Sequence, residues 1–143
     1  MKFLDRLHPL ALLALRLALG IIMIAHGAQK VFGGMPRFMD MLQHLGILPV
    51  LGYLTAAAEF GGGILLIVGL LTRLAALSIV IDMAVAIDKV HWKNGLLSSG
   101  GKVGYEFPMA CGIIAFALIF LGGGPISLDH AFFRGGGGGS PRK

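Results

Sequence analysis

Charge is scarce in this chain. Only 13% of its 143 residues are Asp, Glu, Lys or Arg, about half the ~25% of a soluble domain. Hydrophobic residues make up 56%, and the mean hydropathy is +0.84. This balance argues against an ordinary soluble enzyme and for a chain whose solvent is lipid. Cysteine occurs once, at Cys111. An intramolecular disulfide and a CxxC relay are therefore excluded. Cys111 lies in an apolar run and is expected to be a small packing residue. No phosphate-loop signature is present, and the glycine triplet inside an apolar segment is not one. The excess of 12 basic over 7 acidic residues does not indicate nucleic acid. The basic residues lie mostly at segment ends and tails, where anionic lipid headgroups are their natural counterpart.

What the chain has instead is long apolar runs. A helix needs about 20 mostly apolar residues to cross the hydrocarbon core. Four segments qualify, at about residues 9–32, 49–71, 74–92 and 105–121. Pro9 and Pro49 suit helix starts. Trp92 and Tyr105 suit the aromatic belt. The start of the chain has the charged opening of a signal peptide. Its apolar run is too long for one, however, and carries Arg16, so a retained transmembrane helix is expected. The expected fold is all-α, an integral membrane four-helix bundle over residues 1–130, with a flexible glycine-rich tail at 131–143. The pair Thr72–Arg73 is read as a tight hairpin between spans two and three. Residues 33–48 are moderately amphipathic and are read as a short surface helix. Ala57 and Gly61, at i and i+4, are read as a close-packing helix face.

Four spans put both termini on one side. Six basic residues (Lys2, Arg6, Arg73, Arg134, Arg142, Lys143) fall on that side and five (Lys30, Arg37, Lys89, Lys93, Lys102) on the other. The positive-inside rule then leans towards cytoplasmic termini.

Ionisable residues inside a bilayer usually face a bundle interior or a wet cavity. A rise of about 1.5 Å per residue places Arg16, Glu59 and Asp82 within about one turn of each other in depth. Arg16 and Glu59 are expected to pair. Two carboxylates sharing one cation cannot both ionise cheaply, so one is expected to hold a proton. A second layer, near the opposite face, gathers His26, Lys30, Asp88, His91 and Glu106. The stretch "IAHGAQKVFGG" sets His26, Gln29 and Lys30 within about one turn, as if to close the top of a polar pocket. Asp82 and His91 are nine residues apart and point to opposite faces at about 100° per residue unless the helix bends.

A metal is not expected, because no HxxxH or ExxH spacing occurs on one helix. Haem has nothing but His26 and His91 to recommend it. A quinone headgroup fits better. It needs a few donors and an apolar route for its tail; His26, Gln29 and Lys30 offer donors, and the carboxylates can exchange protons.

The pieces "LRLALGIIMIAHGAQKVFGG", "EFGGGILLIVGLLTRLAAL", "AVAIDKVHWKNGLLSSGGKVGYEFP" and "GPISLDH" resemble, in their order, the DoxX family of four-helix membrane proteins. The resemblance covers roughly residues 10 to 130. It coincides with His26, Gly27, Gln29, Lys30, Glu59, His91 and Glu106. It implies a membrane partner or subunit in redox metabolism, some relatives belonging to thiosulfate:quinone oxidoreductases. It further implies a bacterial or archaeal cytoplasmic membrane protein, with a quinone or a small anion such as thiosulfate as ligand. The catalytic candidates are His26, Lys30, Glu59, His91 and Glu106. The cofactor-binding candidates are His26, Gln29, Lys30 and Arg16. The competing readings are a non-catalytic subunit assembled with other membrane proteins and, less favoured, a small-molecule transporter. No inverted repeat of the transporter kind is visible.

Overall fold

The computed structural model describes residues 6–133. Among them there is no strand, only an isolated bridge between Ser99 and Lys102. The elements are α1 (His8–Gln29), α2 (Met35–His44), α3 (Leu51–Val68), α4 (Thr72–Val85), α5 (Glu106–Leu121) and α6 (Leu128–Phe133). The chain is all-α. The stretches His8–His44 and Leu51–Val68 are long and apolar enough to cross a membrane. The first of these is not one straight rod. Phe32 and Gly33 leave helical geometry, Gly33 with a φ of 115°. Glycine reaches that region without the penalty a Cβ incurs, so the chain turns there from α1 into the surface helix α2.

In lipid, association between helices rests on close packing and hydrogen bonds rather than on escape from water. The contact between α1 and α3 shows this. A Cβ added to Gly20 would lie 2.8 Å from the Gly63 carbonyl oxygen, and one on Gly63 would lie 2.8 Å from that of Gly20. Gly27 backs onto the Phe60 backbone in the same way. The close-packing face is thus Gly20, Gly27 and Gly63, not the expected Ala57 and Gly61. Gly61 has no neighbour within 4 Å of its would-be Cβ. Helices α4 and α5 pack on each other through Ala76, Ile79, Cys111 and Ala115, all buried in the common core. Cys111 is a packing residue, as its setting suggested.

Two boundaries differ from expectation. The turn between α3 and α4 is Gly69–Leu71, with Gly69 and Leu71 both at positive φ. Thr72 and Arg73 already belong to α4. Residues 131–133 belong to α6; the rest of the predicted tail lies outside the described residues.

Besides the kinked turn at Lys30–Gly34, widened turns with i→i+5 bonding occur at Ala57–Gly61 in α3 and at Ala86–His91 after α4. Such a turn accommodates one extra residue and rotates the helix beyond it. Glu59 sits inside the first of these turns and is buried.

Candidate functional site

Arg16 is 1% exposed, and its partners are all carbonyls. Its Nε donates to Leu66 O (2.9 Å), Nη2 to Ile67 O (2.9 Å), and Nη1 to Gly123 O (2.7 Å) and Ile126 O (2.5 Å). The last carbonyls of a helix lack intrahelical donors. Arg16 therefore caps the C-terminus of α3, where a cation also suits the helix dipole. Asp129 of α6 completes this end. Its carboxylate accepts from the amides of Leu71 (2.7 Å) and Thr72 (2.9 Å), supplying the cap for α4 from another element. The expected Arg16–Glu59 pair is not formed.

Glu59 pairs instead with Lys30, whose ammonium reaches inward from the end of α1. Lys30 Nζ also stands 4.8 Å from the centroid of the Phe38 ring in α2. A long stem lets the charged head of Lys30 leave the depth of its own Cα. Asp82 has Glu59 and Lys30 as its charged neighbours and Thr55 beside its carboxyl. One cation and two carboxylates do meet, but the cation is Lys30.

Asp82 also lines a groove of about 600 Å³ between α3 and α4. Its walls are Leu51, Leu54, Leu65, Leu74, Ala75, Ile81 and Val85, with Leu42 and Ile47 contributed from α2 and the loop after it. The small residues Ala57, Ala58, Gly61 and Gly62 line it too. The i, i+4 pair read as a helix contact is in fact what leaves this space open. The polar side chains on the groove are Asp82, Thr55 and Ser78; Arg16 is not among its lining residues. Leu54 and Ile81, on opposite walls, are well exposed, so the groove opens on the outside of the bundle.

The remaining candidates do not join this cluster. His26 is exposed; its Nδ1 is 2.9 Å from Ile22 O of its own helix, and its ring stacks on Phe107 at 5.3 Å. Gln29 is exposed. The two therefore do not close a pocket with Lys30, which alone turns inward. His91 Nδ1 lies 3.0 Å from Val103 O. Glu106 Oε1 accepts from the Ser98 amide (3.0 Å) and hydroxyl (2.6 Å). These two side chains organise the loop before α5, which Trp92 and Tyr105 close by stacking at 5.6 Å. Asp88 pairs with its exposed neighbour Lys89 at 2.9 Å. The widened turn before His91 does not bring it to Asp82. No group of three or more His, Cys, Asp or Glu fit to hold a metal occurs among the described residues.

A partly buried ion pair beside an apolar groove, in an all-α chain with membrane-length helices, defines a class of small membrane bundle rather than a reaction. The DoxX family profile matches residues 11–92, more than half of the chain, and the protein belongs to that family. It is 29% identical over 123 residues to a Bacillus subtilis protein named "Putative oxidoreductase CatD", covering 86% of this chain and 87% of that one. It is 31% identical over 150 aligned positions to an uncharacterized protein of Haemophilus influenzae, covering 94% and 99%. No solved structure matches it.

Proposed function

We propose that this protein is a multi-pass component of a bacterial cytoplasmic membrane that serves redox metabolism by holding a quinone or hydroquinone in the groove between α3 and α4. The observation that carries this reading is the groove's composition. It is apolar along its length and polar only at Asp82, Thr55 and Ser78. Ligand sites of this kind combine an apolar lining with a few placed polar groups. The Asp82 carboxylate can accept from a hydroquinone hydroxyl, and Ser78 Oγ, whose own proton goes to Ala75 O (2.8 Å), can accept as well. The oxidoreductase name of the Bacillus subtilis relative supports the redox setting. The charge count disfavours an anion such as thiosulfate, because Lys30 is already spent on Glu59 and Asp82 leaves the cluster negative. His26, Gln29, His91 and Glu106 then serve the outer surface and the loop before α5, and Lys30 and Glu59 set the field behind Asp82.

The test is binding of a short-chain quinone analogue, held in its reduced hydroquinone form, to the purified protein in lipid nanodiscs. Wild type is expected to bind saturably. Asp82→Asn should weaken binding by about tenfold or more, the scale of one lost hydrogen bond to a charged group, and Gly61→Leu should weaken it by filling the groove. Unchanged affinity in both variants would overturn the assignment. A groove found empty in a protein isolated only as part of a stoichiometric assembly would favour the non-catalytic subunit instead.

A further inference from the structure

We infer that the same groove is a binding site for lipophilic monocations, with the positive centre against Asp82 and the apolar body between α3 and α4. This goes beyond the quinone reading and stands on a different property, the unbalanced charge. Asp82 of α4 lines the groove, and its charged neighbours are Glu59 of α3 and Lys30 from the turn after α1. The Lys30 ammonium is paired with Glu59 and rests near the Phe38 ring. Among the described residues Asp82 thus faces the groove as a second carboxylate in no ion pair of its own, and Thr55 and Ser78 supply only neutral hydroxyls there. In a low-dielectric site an uncompensated carboxylate is costly and is neutralised either by a proton or by a counter-ion. A hydrated metal ion would have to shed its water against walls of Leu54, Leu65, Leu74 and Ile81. An organic cation with a diffuse charge and a hydrophobic body suits both halves of the site, since those walls bury its body while Asp82 meets its charge. Proton and cation then compete for one carboxylate.

Tetraphenylphosphonium is the probe, because its own charge does not vary with pH. Wild-type protein in nanodiscs of neutral lipid should bind it saturably. Binding should weaken as pH falls through the titration of Asp82, approaching a tenfold loss of affinity per pH unit where the carboxyl is mostly protonated. Asp82→Asn should lose about tenfold or more. Glu59→Gln should also weaken binding with Asp82 intact, because it frees Lys30 to neutralise Asp82 from inside. Circular dichroism and size-exclusion elution establish that each variant is folded; if Asp82→Asn is not, Glu59→Gln and the wild-type pH series decide. Equal affinity in wild type and Asp82→Asn, stronger binding in Glu59→Gln, or a flat pH series overturns the inference and leaves the groove a slot for lipid chains. Quinone-analogue binding, measured on the same samples, is neutral-ligand binding and fails or survives independently.

Discussion

Lys30 and Glu59 form a partly buried ion pair between the end of α1 and the widened turn of α3, and Asp82 of α4 is their neighbour as a second carboxylate. Removing one partner of a fully buried pair leaves an uncompensated charge and costs about 3–5 kcal/mol, which is the upper bound for this partly buried one. The two halves of this pair are not equivalent. Lys30→Met strands two carboxylates and should show the full loss. Glu59→Gln leaves Lys30 with Asp82 to turn to, and should lose markedly less. Thermal unfolding of the two variants in detergent measures the difference. Equal losses would mean that Asp82 does not take up Lys30 once Glu59 is gone.

The Arg16 guanidinium makes four hydrogen bonds to carbonyls of α3 and of the turn before α6. A lysine keeps the charge but not the planar fork. Arg16→Lys should therefore destabilise the bundle by about 3 kcal/mol or more, since hydrogen bonds to charged groups contribute about 1.5–3 kcal/mol each. Quinone-analogue affinity in the fraction that remains folded should be unchanged. Denaturant unfolding followed by circular dichroism, with the binding assay beside it, separates the two effects.

Gly63 and Gly61 are two residues apart and should respond in opposite ways. Gly63→Ala drives a methyl into the Gly20 backbone, an overpacking that costs about 1–3 kcal/mol. Gly61→Ala meets open space and should leave the melting temperature nearly unchanged while narrowing the groove. Melting curves and ligand affinity for the pair give the answer.

Asp129 caps α4 from across the chain. Asp129→Ala should cost about 1 kcal/mol, as loss of an N-cap usually does. The loss should appear first as faster hydrogen exchange at the amides of Leu71 and Thr72.

His26 is stacked on Phe107 outside the groove. His26→Ala should therefore leave quinone-analogue affinity within about twofold of wild type, well short of the tenfold that one lost charged hydrogen bond produces. A loss as large as that of Asp82→Asn would return the site to the end of α1.

Hydropathy and length were sufficient to read the all-α class and the two membrane-length helices, because a lipid-facing helix must be apolar over a fixed distance and its backbone bonds close within it. The amphipathic helix after α1 and the packing role of Cys111 were legible for the same reason, being local in origin. Asp82 and Glu59 could be picked out as intramembrane carboxylates because any such residue needs a partner. Which cation each would find could not be read. Depth counted from helix starts set Arg16 level with Glu59. The glycine contacts between α1 and α3 instead set it against Leu66 and Ile67, about seven residues further along α3, or roughly 10 Å.

The sequence by itself determined that this is an all-α membrane chain of the DoxX kind and which few residues carry charge inside it. Tertiary structure decided the rest: that Lys30 rather than Arg16 meets the carboxylates, that His26 and Gln29 face outward, and that Ala57 and Gly61 line a groove instead of a helix contact. The physical reason is the same in each case. Composition sets what a segment can be dissolved in, whereas the register between two helices is set by where their backbones touch. Long side chains such as Lys30 and Arg16 then reach up or down about a turn to whichever partner that register supplies.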